Sequence, residues 1–201
     1  MITGMGIDIK LIFAILAVLL AVFGSFLPYL RDIFKKKTKP HTYTWLIWTI
    51  TQGVATAGLL YGNGGWGALD LLIGTFFVFA IFLISLKYGT RNITKSDTII
   101  LMVSLLAIIV WLQMRNPLVA VLMVTAIDFA GYLPSFRKSF QEPWTETVSS
   151  WLIFSLGNIF VILSLNEYNL LTLTYVMMMT VANIIIAVIC LMRRRIVLQA
   201  S

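Results

Sequence analysis

The sequence is poor in charged residues, cysteine and histidine, and each shortage excludes a class of protein. Charged residues make up 11% of the 201 residues, whereas a soluble domain of this size has about a quarter. A single cysteine, Cys190, allows no internal disulfide. One histidine and one cysteine give no zinc-ligand spacing, and the sequence has neither a nucleophile elbow nor a phosphate-binding loop. We therefore expect no enzyme, no resident metal ion and no cofactor.

Hydrophobic residues are what the chain has in excess. They make up 60% of the sequence, and the mean hydropathy is +0.94. This composition indicates an integral membrane protein, and the length allows about seven spans of about 20 residues with short loops. The net charge of +7 does not indicate nucleic-acid binding. Its positive residues lie between apolar runs and form no basic face with stacking aromatic residues.

Seven apolar runs divide the chain, and each predicts a transmembrane helix. Each run is close to the length that crosses about 30 Å of hydrocarbon at a rise of about 1.5 Å per residue. The predicted fold class is therefore all-α integral membrane. The runs are residues 9–30, 43–61, 66–88, 98–114, 118–136, 148–165 and 170–192.

The basic residues predict how the helices are oriented. Thirteen of the 15 Lys and Arg residues fall in the first, third and fifth loops and the C-terminal segment. Only Lys10 and Arg115 fall on the other side. The excess of positive charge in cytoplasmic loops therefore predicts an N-terminus outside and a C-terminus in the cytoplasm. The compact loops favour a prokaryotic inner membrane.

Residues 23–48 return at residues 129–154 with a constant offset of 106 and no gap. A proline, an arginine and a tryptophan in one ungapped register indicate an internal duplication. The unit is three helices, so an additional fourth helix keeps the two copies parallel, about an axis along the membrane normal. The predicted parts are a first three-helix bundle, a linker helix and a second bundle, at 1–93, 94–115 and 116–201. Identical pairs are Phe23/Phe129, Leu27/Leu133, Pro28/Pro134, Arg31/Arg137, Phe34/Phe140, Trp45/Trp151, Leu46/Leu152 and Ile47/Ile153.

Pro28 and Pro134 lie inside the first and fifth predicted helices, near their cytoplasmic ends. Each proline removes the backbone hydrogen bond to the carbonyl four residues earlier. A paired kink of this kind has two interpretations. The first is a hinge that opens and closes the cytoplasmic mouth, and the second is a static kink that Gly24 and Gly131 allow by close packing.

Four polar residues lie at comparable depth near the middle of the predicted helices: Gln52, Asp128, Asn158 and Asn183. A shared depth is what a central substrate-binding cavity needs. For the three amides the alternative is hydrogen bonding between helices. For Asp128 we favour a binding role, because an ionised carboxylate at this depth costs about 2.5–3.5 kcal/mol on insertion scales. It would either couple transport to protons or pair with a cationic substrate.

Aromatic and titratable residues near the ends of the predicted helices are harder to interpret. Tryptophans often form belts at the membrane interface, but Trp48 and its counterpart Phe154 lie more than one turn inside. They are candidates for an apolar gate or a stacking surface for a ligand. His41 is expected to be a solvated residue at a helix start. Asp70, about one turn inside the outer end of the third helix, is expected to be exposed to water.

Together these residues resemble the PQ-loop/SWEET superfamily, and the resemblance covers residues 9–192. That superfamily includes the SWEET sugar facilitators, lysosomal amino-acid exporters, vitamin transporters of the PnuC type and the KDEL receptor. Pro28 and Pro134 match the family prolines in place, although Tyr29 and Ser135 stand where the family has glutamine. Sugar-binding members use asparagines in the third helix of each unit. Asn183 fits that role, whereas its counterpart is Phe77.

The resemblance implies a small transporter that moves a sugar-like or an amino-acid-like or vitamin-like solute by alternating access. Substrate would bind at the midplane between the two bundles, and the two prolines would hinge the motion. The alternative is a membrane receptor or sensor of the KDEL-receptor type that does not transport. The expected partners are a small-molecule solute and the lipid bilayer, with no nucleic acid. The sequence leaves the oligomeric state open, including a homo-oligomer.

Overall fold

The structure is a computed structural model that describes residues 8–111, 113 and 116–198. Within these residues it contains seven long helices and no strand, which confirms the all-α prediction. Two short 3₁₀ turns, Gly65–Gly67 and Pro143–Thr145, precede the third and sixth helices. The helices are α1 Ile9–Phe34, α2 Thr42–Tyr61, α3 Ala68–Tyr88, α4 Lys95–Trp111, α5 Pro117–Gln141, α6 Val148–Ser164 and α7 Leu170–Arg193.

Four helical segments are long and apolar enough to cross a membrane, which indicates a membrane protein. They are Ile9–Phe34, Gly65–Tyr88, Leu118–Gln141 and Leu170–Arg193. Helix α6 is apolar but has only 17 residues. Helix α2 has 20 residues, but five threonines and a glutamine make it more polar. Many large apolar side chains on the helix surfaces are exposed, as expected for a face that contacts lipid.

The loops between the helices form hydrogen bonds with one another at two opposite ends of the molecule. We call one the basic end, formed by residues 35–41, 89–94, 142–147 and 194–198. There the N–H of Lys39 donates to the carbonyl of Thr145 at 3.2 Å. The N–H of Thr90 donates to the carbonyl of Pro40 at 2.9 Å. At the opposite end, residues 62–67 meet residues 165–169.

Helix packing joins the N-terminal and C-terminal halves of the chain along two seams. Helix α1 packs on α6, and α2 packs on α5. Within the halves, α3 packs on α2, and α7 packs on both α5 and α6. Helix α4 packs against α5 and α2. The core therefore lies between helices of both halves.

Two hydrogen bonds across the seams are related by the offset of 106 residues. The Thr44 hydroxyl donates to the carbonyl of Gly131 at 2.9 Å, from α2 to α5. The Ser150 hydroxyl donates to the carbonyl of Ser25 at 3.0 Å, from α6 to α1. Thr44 corresponds to Ser150, and Ser25 corresponds to Gly131. The offset seen in the sequence thus also relates contacts in three dimensions.

Two glycines allow the seams to approach closely. A Cβ atom added to Gly24 would lie 2.7 Å from Cγ2 of Ile153. One added to Gly131 would lie 3.0 Å from Cγ2 of Ile47, which is the counterpart of Ile153. Both glycines therefore have the close-packing role that the static interpretation of the prolines requires.

The backbone around the two matched prolines differs. Residues Leu20–Phe26 of α1 form a π-helical segment just before Pro28, in which the N–H of Leu27 donates to the carbonyl of Val22. Helix α5 has Pro134 in its interior and continues as an α-helix to Gln141. A π-helical turn is rare and often marks a functional site. The hinge interpretation remains a prediction, and this difference makes Pro28 the stronger candidate.

The prediction that His41 is solvated is wrong. Its side chain is 1% exposed, and Nε2 lies 3.4 Å from Oδ2 of Asp97 on α4. Asp97 also forms an ion pair of 2.6 Å with Arg137 of α5. Burial lowers the pKa of His41 to about 4, although the nearby Asp97 carboxylate opposes this shift. His41 is buried because the first loop packs against α4 and α5. The residues next to His41 in the sequence do not indicate this long-range contact.

Candidate functional site

A cavity of about 40 Å³ lies between the helices, enough for about three water molecules. Every helix except α4 contributes to its lining. Six of the candidate residues identified from the sequence line it, whereas Pro28 and Pro134 do not. The six are Trp48, Gln52, Asp128, Phe154, Asn158 and Asn183.

Asp128 is buried in the wall of this cavity and is 1% exposed. One of its carboxylate oxygens, Oδ1, accepts hydrogen bonds from the hydroxyls of Thr51 and Tyr175, the latter at 3.2 Å. Among the described residues Oδ2 has no hydrogen-bond partner, and no Lys, Arg or His lines the cavity. A buried carboxylate without a counter-cation must be neutralised by a proton or by a cation from outside.

Asp70 also lines the cavity, although we expected it to be exposed to water. It lies in the first turn of α3, where the helix dipole favours a carboxylate. Its Oδ1 is buried and has no hydrogen-bond partner within the described part of the chain. Its place inside a predicted apolar run was a signal that it faces the protein interior. The direction in which it points depends on how α3 rotates against α2, which the sequence does not specify.

Gln52 is positioned by a glycine on the neighbouring helix. Its Nε2 donates to the carbonyl of Leu71 on α3 at 3.4 Å. A Cβ atom at Gly74 would lie 2.4 Å from this nitrogen. Gly74 therefore leaves the space that the amide of Gln52 occupies. This contact supports the hydrogen-bonding alternative for Gln52 while keeping the residue in the cavity wall.

The two asparagines differ in how their side chains are satisfied. Oδ1 of Asn183 accepts a hydrogen bond from the Tyr132 hydroxyl at 2.9 Å. Asn158 is 4% exposed, and its Nδ2 has no partner among residues whose placement is described. Buried amides nearly always find a partner. Asn158 is therefore the amide with an unmet donor at the cavity.

Aromatic rings form much of the remaining wall. The centroid of the Trp48 ring lies 4.4 Å from the ring centroid of Tyr132, 5.1 Å from that of Trp45 and 6.0 Å from that of Trp151. Phe154 meets Phe26 edge-on at 4.6 Å. Trp45 and Trp151 were not among the candidate site residues. Both are buried, and their matched positions at the offset of 106 were a signal that favoured the interior over the membrane interface.

A polar network closes the basic end below these rings. The indole N–H of Trp151 donates to Glu146 at 3.0 Å, and Glu146 forms an ion pair of 2.6 Å with the buried Lys138. The Arg194 guanidinium donates to the backbone carbonyl of Glu146 at 2.6 Å. Tyr29 packs against Trp151 at 5.8 Å. The cavity is therefore covered on this side by an aromatic layer that is anchored to a buried ion pair.

Protein-family models, curated proteins and solved structures were each compared with the chain, and none matches it. The resemblance to the PQ-loop/SWEET superfamily therefore stays a prediction.

Proposed function

We propose that the protein is a small membrane transporter that moves a small polar metabolite by alternating access. The observation that carries this proposal is a cavity in mid-helix, lined by polar and aromatic side chains from both halves of the chain. Transporters with internal repeats bind substrate near the midplane between the repeats. The solute would contact Asp128, Asn158, Asn183, Gln52 and Trp48.

The proposed architecture is two parallel three-helix bundles, α1–α3 and α5–α7, joined by α4 as a linker. The paired hydrogen bonds of Thr44 and Ser150 support it, because the offset of 106 relates one to the other. So does the packing of α1 on α6 and α2 on α5, which are equivalent seams under the same offset. The bundles would rock against each other along these two seams.

The basic end would face the cytoplasm, with the N-terminus outside, since positive loops are retained there. In the present conformation the network of Glu146 and Lys138 covers this side. Opening it requires separation of Trp151 from Glu146, or movement of α6 together with the loop before it. The π-helical segment before Pro28 would absorb the change in α1. Phe154, against Phe26, would act in the gate.

Asp128 would supply the energetic coupling or the recognition of charge, since its carboxylate has no counter-cation in the cavity. Either a proton or a cationic group of the solute would neutralise it. A solute that carries the positive charge itself and a solute that travels with a proton are both compatible with this role.

The test is uptake into proteoliposomes of solutes first selected by thermal shift from a panel of sugars, amino acids and vitamins. Flux of a solute that stabilises the protein is expected, and Asp128→Asn should abolish or greatly slow it. Glu167→Gln, which removes an exposed carboxylate at the opposite end, is the matched control and should leave uptake unchanged. A solute that binds but is never transported would instead favour a receptor or sensor.

A further inference from the structure

The charge of the cavity lining has one sign. Asp70 and Asp128 are its only charged residues, and no Lys, Arg or His occurs among the described residues that line it. Neither carboxylate forms an ion pair with another described residue. A site with two carboxylates and no cation repels an anionic solute and leaves the carboxylate of a zwitterion without a partner. It has its best electrostatic match in a solute that carries positive charge.

Unpartnered polar atoms show where such a solute would be held. Oδ1 of Asp70 and Nδ2 of Asn158 are buried without partners in the described structure. Oδ2 of Asp128 also has no hydrogen bond from a described residue. Buried polar groups in proteins are nearly always satisfied, by protein, water or ligand. These atoms offer two acceptors for a cationic donor and one donor for an acceptor on the same solute.

The walls beside these atoms are aromatic. Trp48 lies next to Tyr132, and its indole N–H donates to the backbone carbonyl of Asp128 at 3.4 Å. Trp48 and Asp128 both line the cavity. Trp45 and Trp151 line the same cavity. An organic cation is attracted to the face of an aromatic ring, most strongly to tryptophan, and recognition of quaternary ammonium groups commonly uses such rings.

We propose that this cavity binds a small organic cation, with a substituted ammonium group between Asp128, Asp70 and the ring of Trp48 and a hydrogen-bond acceptor facing Nδ2 of Asn158. The proposal rests on the proposed function, because it names the class of solute that the same cavity transports. The small volume of the cavity favours a compact cation, and its entry would expand the site.

Other ligand classes fit the lining less well. A neutral sugar also packs on aromatic rings, but it pairs with neither carboxylate, so both would need protons in the bound state. A bare metal ion needs several oxygen ligands in a shell, whereas most of this wall is aromatic or aliphatic. Within the described residues no group of three His, Cys, Asp or Glu side chains could hold a metal ion. An organic cation uses the carboxylates and the rings together.

The test is equilibrium binding of tritiated choline to purified protein, with competition by dimethylbutanol, in which carbon replaces the ammonium nitrogen. The two probes have nearly the same shape and differ in charge. Wild-type protein should prefer choline by about tenfold or more. Asp128→Asn and Asp70→Asn should each reduce that preference to about twofold, whereas Asp128→Glu retains the charge and should retain most of it. Glu167→Gln is the control for removal of a carboxylate elsewhere.

Each outcome decides the proposal. Equal affinity for choline and dimethylbutanol, absence of choline binding, or an unchanged preference in Asp128→Asn overturns it. Elution of each variant at the wild-type position on size exclusion excludes unfolding as the cause of a loss. Choline bound without flux in proteoliposomes would contradict transport while the cation site stands. Flux of a neutral solute without choline binding would contradict the cation site while transport stands.

Discussion

Two groups of three residues around the cavity occupy equivalent positions in the two halves but differ in chemistry. In one group, Phe26 stacks on Phe77 at 4.8 Å and meets Phe154 edge-on at 4.6 Å. In the other, Tyr132 donates to Asn183 at 2.9 Å and lies 4.4 Å from Trp48. The offset of 106 relates every member of one group to a member of the other. The groups are Phe26, Phe77 and Phe154, and Tyr132, Asn183 and Trp48.

The matched positions therefore have equivalent places in the chain but differ in polarity. Asp128 sharpens this contrast, because its counterpart is Val22. The two groups therefore differ in polarity, since one consists of phenyl rings and the other of an indole, a phenol and an amide. A symmetric pair of sites would treat both ends of a solute alike, whereas the proposed site would not.

The substitution that makes the two halves alike at position 128 should have the largest effect on solute binding. Asp128→Val copies Val22 and removes the charge that has no counter-cation in the described lining. We expect choline binding and solute uptake to fall by about 100-fold, since loss of one member of a buried charge pair weakens binding by several kcal/mol. Thermal stability should change little, because removal of an uncompensated buried charge offsets the loss of the acceptor for the Thr51 and Tyr175 hydroxyls. Equilibrium binding and a melting curve on the same sample measure both effects.

A reverse result would be informative about the role of Asp128. If Asp128→Val melts well below wild type and binds choline normally, the carboxylate stabilises the fold through Thr51 and Tyr175 and does not bind solute. Val22→Ile, a conservative change at the counterpart position, provides the control and should leave binding unchanged.

The seams between the halves differ in how tightly they pack, and alanine substitutions can measure this. Gly24→Ala copies its counterpart Ala130, but its Cβ would lie 2.7 Å from Ile153. Overpacking of this kind costs about 1–3 kcal/mol. Gly131→Ala, on the other seam, meets Ile47 at 3.0 Å and should cost less. Denaturation of both variants in the same detergent compares them, and a larger loss for Gly131→Ala would contradict the proposed packing.

His41 and its counterpart Thr147 lie at equivalent positions of the basic end but contact different groups. The Thr147 hydroxyl donates to Asp32 at 3.0 Å, whereas the imidazole of His41 faces Asp97. Burial lowers the pKa of His41 from 6.5 to about 4, so the folded protein binds this proton less tightly than the unfolded chain. The stability that depends on neutral His41 is present above about pH 6.5 and is lost as the pH falls towards 4.

His41→Thr should therefore flatten the pH dependence of stability. At about pH 5 the wild type should have lost about 2 kcal/mol through this group, relative to pH 7. The variant should lack that loss, and thermal melting at both pH values measures it. Equal pH dependence in the two proteins would mean that folding does not shift the pKa of His41. A wild type that gains stability relative to the variant as the pH falls would mean that Asp97 holds the imidazole charged in the folded state.

The sequence was sufficient to predict the helices, because they depend on local patterns, whereas the two-bundle arrangement stays a prediction. Apolar runs predict helices in lipid, and a constant offset between copies needs no three-dimensional information. The burial of His41 and the direction of Asp70 depend on how helices rotate and which loops meet. The two matched prolines gave no signal that a π-helical segment would precede Pro28 while the helix around Pro134 remains an α-helix. Chemistry-bearing residues were thus easier to find than their partners.

The smallest expected effect, on stability, comes from removing the hydroxyl group by which Tyr132 differs from its counterpart Phe26. Tyr132→Phe copies the apolar half and leaves Oδ1 of Asn183 without its donor. Loss of one partner in a buried hydrogen bond should reduce stability by about 1 kcal/mol. Adding Asn183→Leu removes the other partner, so the double variant should recover part of that loss. A double-mutant cycle on the melting free energies measures the coupling. Additive losses would show that the two side chains act independently and that the polar half is held by other contacts, such as the packing of Trp48 on the ring of residue 132.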